Sequence, residues 1–340
     1  MAKKNTGDGL KNLREHIRND RLGNIYLLFG EEDYLISYYF EEIKKRVLSD
    51  GLPEFNYNLF EGTRIDWGEV AESVEALPMM SEKRLVAVRD SGIFKTAAES
   101  VKSFWQERVK DIPPYAHIVF VEREVDKRGV LYKAIAAAGE AVECAFLDGA
   151  ELSNWVARGC REAGKEIGPK EVAYLIRSCD AGMNNIKREL EKLFAYCESR
   201  INIQDIDKVV TKMPQNRVFE MINGIMEKDA ASVFGKLEEL KTLKESAFRV
   251  LGLICTNFER IFHAKLLCER GTPHNMVAAA IKVPPYYVRD YVDAANRFGK
   301  PFLREAICRC AQIDYDVKQG KCGDWLAIEQ FLAGCMAGTM

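Results

Sequence analysis

The strongest restriction on this chain is a regular strand–helix alternation over its first 146 residues, followed by its abrupt end. "NIYLLFG" (24–30), "EFNYNLFEG" (54–62), "RLVAVRD" (84–90), "AHIVFVERE" (116–124) and "AVECAFL" (141–147) read as short strands. Helical periodicity occupies the intervals: "EEDYLISYYFEEIKKRVL" (31–48), "DWGEVAESVEA" (66–76), "TAAESVKSFWQERVK" (96–110) and "KRGVLYKAIAAAG" (127–139). In the first of these Leu35, Tyr39, Ile43 and Val47 share one side, and Asp66 opens the second. Short connections between strands of this kind require right-handed crossovers. They predict an α/β domain over 1–147 whose mostly parallel sheet is covered on both faces by helices.

After residue 148 the strands are expected to stop. "GAELSNWVARGCREAG" (149–164), "PKEVAYLIRSC" (169–179), "NNIKRELEKLFAYC" (184–197) and "IQDIDKVV" (203–210) are short amphipathic helices, which predict a small helical domain over 148–211. "MPQNRVFEMINGIMEKD" (213–229) begins a longer helical stretch, read as a third, all-helical domain over 212–340.

An α/β domain followed by a small helical lid invites a nucleotide-binding reading. Such a site needs a glycine-rich turn after the first strand, then Lys-Ser/Thr for charge and Mg²⁺. Here the turn is "FGEEDYL", with the single glycine Gly30 followed by Glu31, Glu32 and Asp33. Carboxylates at a helix N-terminus satisfy its dipole themselves and repel a triphosphate. The metal-binding strand ends in Glu122, Arg123 and Glu124 rather than in paired acids after a clean apolar run. The expectation is a nucleotide site present in outline and chemically disabled, with no bound cofactor.

Other chemistry is weaker. His117 lies inside an apolar strand and reads as a satisfied core residue; no nucleophile elbow and no HExxH occurs. The ten cysteines form no CxxC pair and the four histidines are scattered, so no metal site is expected, and buried reduced thiols place the chain in the cytoplasm. No catalytic residue is assigned. A net charge of -2 supplies no global field toward nucleic acid. "FGKPFLREAICR" (298–309) reads as a solvated helix end, with a weak backbone contact to DNA as the other reading. The opening "MAKKNTGDGLKNLREH" lacks the apolar run of a signal peptide, and no apolar run is long enough to span a membrane.

That leaves "LPMMSEKRLVAVRD" (77–90), where Met79 and Met80 stand side by side just before a strand. Successive strand side chains alternate faces, so both cannot enter the same core from regular strand. Either they fill gaps in the interior, as methionine does, or Pro78 ends the preceding helix and projects the pair outward toward a partner.

Taken together, "IYLLFGEEDYL" (25–35), "LPMMSEKRLVAVRD" (77–90), "LSNWVARGCREAGKEI" (152–167), "DAGMNNIKRELEKLFAYC" (180–197), "VFEMINGIMEKD" (218–229), "VPPYYVRDYVDAANRFGKPFLREAICRCAQIDYDVKQG" (283–320) and "AIEQFLAGCM" (327–336) resemble the bacterial DNA polymerase III delta subunit family, by their order and spacing. The resemblance implies an AAA+-like N-terminal domain without ATP binding, a small helical domain and a C-terminal helical collar. It implies a non-catalytic subunit of a complex whose activity is DNA-directed DNA polymerase (a nucleotidyltransferase), working in the cytoplasmic replisome. Implied partners are the beta sliding clamp, the ATPase subunits and delta-prime through the collar, and primed DNA within the assembled complex. In the family a hydrophobic pair before the third strand enters a clamp pocket; mapped here, the pair is Met79 and Met80, with Leu77 and Pro78 shaping the approach. Bulkier or branched residues are more usual in the pair. Competing readings are an active AAA+ ATPase subunit, which would retain nucleotide, and a helical adaptor unrelated to replication, in which Met79 and Met80 would be buried.

Overall fold

A computed structural model describes residues 9–179, 181–211 and 214–338. Its contacts divide the chain into two units, one ending at Phe146 and the other beginning at Leu147. The expected boundary at 211/212, the start of a helix at 213 and the beginning of the 180–197 motif fall on or beside residues outside the described ones. The first 8 residues of the opening segment also lie outside them.

The first unit runs α1 (Gly9–Arg18), β1 (Ile25–Phe29), α2 (Asp33–Val47), α3 (Pro53–Asn56), β2 (Tyr57–Glu61), α4 (Trp67–Glu75), β3 (Arg84–Arg89), α5 (Glu99–Arg108), β4 (Ala116–Glu122), α6 (Val130–Ala138) and β5 (Glu140–Glu143). The strands lie in the order β2-β3-β4-β1-β5 and every pairing is parallel, as the crossover argument requires. Period-two alternation sorts the strand side chains. Ile25, Leu27, Phe29, Val86, Val88, Ile118 and Phe120 share a core with Val70 and Val74 of α4, Trp105 of α5 and Leu131 and Ile135 of α6. The intervening Tyr26 and Leu28 are also fully buried, and the Tyr26 hydroxyl lies 3.0 Å from His16 of α1. Leu35, Tyr39, Ile43 and Val47 are all buried, so the side of α2 read from the sequence is the one that packs. Asp66 caps α4 by accepting from the N–H groups of Gly68 and Glu69. Both faces are covered, as the α/β reading of the sequence requires.

Two elements differ from the sequence reading. Residues 54–56, read as the start of a strand, belong to the short helix α3, because Pro53 at its first position presets helical φ and Asn56 turns its side chain back to the Leu52 carbonyl. α5 begins at Glu99 rather than at residue 96, because residues 92–97 form a turn in which Lys95, Thr96 and Ala97 donate to the Gly92 carbonyl.

The second unit runs α7 (Gly149–Glu162), β6 (Glu166–Ile167), α8 (Pro169–Ser178), α9 (Met183–Tyr196), β7 (Arg200–Ile201), α10 (Ile203–Val209), α11 (Pro214–Glu227), α12 (Ala230–Thr242), α13 (Ala247–Glu269), α14 (His274–Ile281), α15 (Val288–Arg297), α16 (Lys300–Lys318) and α17 (Asp324–Ala337). Strands were not expected here, yet β6 and β7 pair in parallel. Lys165 fixes the pairing by donating to the carbonyls of Cys197 (2.6 Å) and Glu198 (2.9 Å), and two-residue strands are too short to leave a periodic signal. The basic helix start at 300 is partly neutralised, since Lys300 pairs with Glu269. Among the described residues no helix is long and apolar enough to cross a membrane.

His117 is a satisfied core group: its Nδ1–H donates to the Gly23 carbonyl (2.9 Å) and the ring is buried. Burial is the main reason its pKa falls below the ordinary 6.5; the Gly23 bond opposes this and Lys83 adds to it. A lowered folded pKa means that the unfolded chain takes up the proton first. The contribution is therefore complete above pH 6.5 and is lost as the pH falls below it. In urea unfolding, acidifying from neutrality toward pH 5 should destabilise the wild type more than a His117→Gln variant. Equal losses in the two proteins would remove His117 from the account.

Candidate functional site

The turn after β1 is the first place to test. Gly30 sits at φ +134°, and a Cβ there would lie 2.4 Å from the carbonyl oxygen of Cys144. The backbone of Cys144 donates to Phe29 (2.6 Å) and accepts from Glu32 N–H (2.9 Å), so the turn is laced onto the chain just past β5. Glu32 is buried, and its carboxylate caps α2 by accepting from Tyr34 N–H at 3.2 Å. Burial, with the Glu32 and Glu143 carboxylates nearby, pushes the Cys144 thiol up to about 12. The turn after β1 thus carries a buried carboxylate and no Lys-Ser/Thr, the opposite of the charge pattern of a phosphate cradle. Glu122, the acid at the end of β4, is also committed. It accepts from the N–H groups of Ser91 (3.0 Å) and Gly92 (3.1 Å) and from the Ser91 hydroxyl, and so anchors the turn after β3. Gly30→Ala should lower stability by about 2 kcal/mol, because the strained backbone and the Cys144 carbonyl cannot both be accommodated. An unchanged denaturant midpoint would show that this turn relaxes freely.

No group of three or more metal-ligating side chains occurs among the described residues. In the second unit a cavity of about 510 Å³ is lined in part by Arg177, Asn257, Asp290 and Tyr291. Arg177 pairs with Asp290 (2.9 Å) and Tyr291 donates to Asn257 (2.8 Å), so these groups satisfy one another. Of the ten cysteines, six are buried, three partly buried and one, Cys308, exposed.

The segment between α4 and β3 is different. α4 ends at Ala76 in extended backbone, and Leu77, Met79 and Met80 are 74%, 53% and 81% exposed, with Pro78 partly buried. These four residues, grouped by sequence, lie together on one outward loop. The loop is held from behind. Asn56, fully buried, accepts from Met79 N–H (2.7 Å) and donates to Met79 O (2.8 Å), closing both backbone groups of that residue. Arg84 reaches back from β3 to the carbonyls of Ala76 (2.9 Å) and Leu77 (3.4 Å) and to the Asn58 side chain (2.6 Å). Burial lowers the Arg84 pKa, while Tyr115 acts in the opposite direction. Asp50 accepts from Glu82 N–H (3.0 Å) and from the Ser81 hydroxyl (3.1 Å), and mainly the first of these holds its carboxyl below the ordinary range.

Met80 itself adopts φ +52°, a left-handed conformation that non-glycine residues rarely take. Opposite it, Gly51 allows the close approach: a Cβ at that position would lie 2.3 Å from the Met80 carbonyl oxygen. The sequence pointed to the loop but not to Asn56, Gly51 or Asp50, which hold it from more than twenty residues away. The one available signal was the pair of asparagines, Asn56 and Asn58, inside a strand-like run.

The chain is similar in sequence and fold to known proteins. Residues 26–145 match the family model "DNA polymerase III, delta subunit", and residues 215–335 match "DNA polymerase III delta subunit, C-terminal domain". The chain belongs to the DNA polymerase III delta subunit family. DNA polymerase III subunit delta of Bacillus subtilis (strain 168) is 25% identical over 317 residues, 91% of each chain. A probable DNA polymerase III subunit delta of Aquifex aeolicus (strain VF5) is 19% identical over 303 residues, 85% of each. The fold matches the solved DNA clamp loader delta protein of Bacillus subtilis with a TM-score of 0.74 at 23% identity, over 96% of this chain and 99% of that one. As a delta subunit the chain is a clamp-loader component of DNA polymerase III and takes part in DNA replication.

Proposed function

We propose that this chain binds its organism's beta sliding clamp through Leu77, Pro78, Met79 and Met80 and opens the ring. The observation that carries the reading is the exposure of Met79 and Met80 on a loop whose backbone is fixed by Asn56. An adaptor with buried thioethers does not agree with that exposure, and an active ATPase does not agree with the acidic turn after β1, which lacks Lys-Ser/Thr.

The mechanism is differential binding. A protein that holds the open, strained clamp interface more tightly than the closed one shifts that equilibrium by the difference. Reversing a 1:99 population needs about 5.5 kcal/mol. Two methionine side chains can supply roughly 1.5–3 kcal/mol each before ordering losses, so the pair is of the right order only if its contacts are made mainly with the open ring. Thioethers have three rotatable bonds and polarizable sulfur, which suits a preformed apolar pocket.

In this reading the helices of 148–211 form a lid domain. Those from Pro214 onward form a collar that joins the ATPase subunits and delta-prime. ATP bound by those sisters decides when the loop is exposed, and primed DNA is met within the assembled complex in the bacterial cytoplasm. The direct test uses the purified chain and the clamp: measured affinity, and release of clamps preloaded on circular DNA. Tight binding with release supports the reading. Absence of binding by the wild-type chain rejects it.

A further inference from the structure

We propose that the clamp-facing surface has a second apolar anchor on α3, centred on Phe55 with Leu52 beside it, so that the partner is gripped by two segments rather than by the methionine pair alone. The inference rests on the reading of the 77–80 loop as the clamp-binding element. Phe55 is 56% exposed, and Leu52 is exposed as well. A single exposed apolar side chain is ordinary. Here, however, Leu52, Phe55, Leu77, Met79 and Met80 belong to two segments fastened to each other.

The fastening runs through Asn56. Its side chain holds both backbone groups of Met79 and also donates to the Leu52 carbonyl at 3.1 Å, the same carbonyl that accepts from Phe55 N–H at 3.1 Å. One residue before Leu52, Gly51 lies against the Met80 carbonyl. Phe55 therefore stands one residue from the joint that fixes Met79, and Leu52 one residue from the contact that fixes Met80. A body covering the two methionines meets this edge of the unit, and continuity with the proposed interface names the occupant: the same clamp. A phenylalanine has only two rotatable side-chain bonds and a large apolar area, so it adds affinity at small entropic loss compared with methionine.

The experiment compares clamp affinity of the wild type, Phe55→Ala, Leu52→Ala and the Met79→Ala/Met80→Ala double variant, each checked for unchanged thermal unfolding. It is joined by hydroxyl-radical footprinting of the wild-type chain with and without clamp. The expected result is a loss of about ten-fold or more for Phe55→Ala, a smaller loss for Leu52→Ala, and clamp protection of Phe55 together with Met79 and Met80. If the double variant loses binding while Phe55→Ala keeps wild-type affinity and Phe55 stays reactive, the second anchor is overturned and the loop reading survives. No binding by the wild type overturns both. A change in self-association on Phe55→Ala with clamp affinity intact overturns the proposal in favour of a second copy of this chain as the occupant.

Discussion

Replacing Met79 and Met80 together by alanine is expected to weaken clamp binding by about a hundred-fold, or roughly 3 kcal/mol, with little change in stability. The separation follows from their positions. Both side chains are more than half exposed in the isolated chain, so truncating them removes little buried area and opens no cavity. In a complex, two fully buried methionines would contribute about 1.5–3 kcal/mol each, and alanine keeps only a fraction of that. Titration of the clamp with the double variant, beside a thermal melt, reads both quantities. Wild-type affinity in a folded variant would move the plug elsewhere on the surface. A fall in melting temperature would mean that the thioethers hold the loop rather than advertise it.

Asn56→Ala should do the opposite, damaging stability first and binding as a consequence. The substitution removes the acceptor of Met79 N–H and the donor to the carbonyls of Met79 and Leu52, all at a fully buried position. The Met79 N–H and carbonyl left unpaired in such a place cost about 1–3 kcal/mol each when water cannot reach them, while the Leu52 carbonyl keeps its bond from Phe55 N–H. Partial hydration at the loop surface brings the expected total to about 2–4 kcal/mol. With the joint broken, Met80 need not keep its φ of +52°, and the clamp must then order the loop itself, which should lower affinity about ten-fold. Asn56→Asp is the sharper control. It keeps an acceptor for Met79 N–H but sets a charge beside two carbonyl oxygens, so it should be no better than alanine. Denaturant midpoints and clamp titrations on both variants test this; wild-type stability in Asn56→Ala would show that solvent replaces the joint.

The sheet was legible because β1, β3 and β4 carry apolar runs and the longer helices between the strands have their own period. Val47, Asp66 and His117 all do what local pattern assigns to them. The turn after β1 was legible as acidic, from Glu31, Glu32 and Asp33. Its lacing was not, because the partner is the backbone of Cys144, more than a hundred residues further along. The same limit applies to the loop. Four residues in a row announced it, but what stiffens it comes from residues 50–56, part of which imitates a strand. β6 and β7 were missed because two residues have no period.

The acidic turn after β1 also bears on timing. A protein that carries its own nucleotide can be switched between a state that offers a surface and one that hides it. If the acidic turn after β1 holds no nucleotide, the exposure of Met79 and Met80 would not be coupled to any nucleotide of this chain. If the loop opens rings, it would do so continuously when the chain is alone, pulling at closed and working clamps alike. Restraint would then have to come from outside, from a neighbour that covers the loop until loading is due. The cell would then have reason to keep free chains scarce relative to the neighbours that mask them.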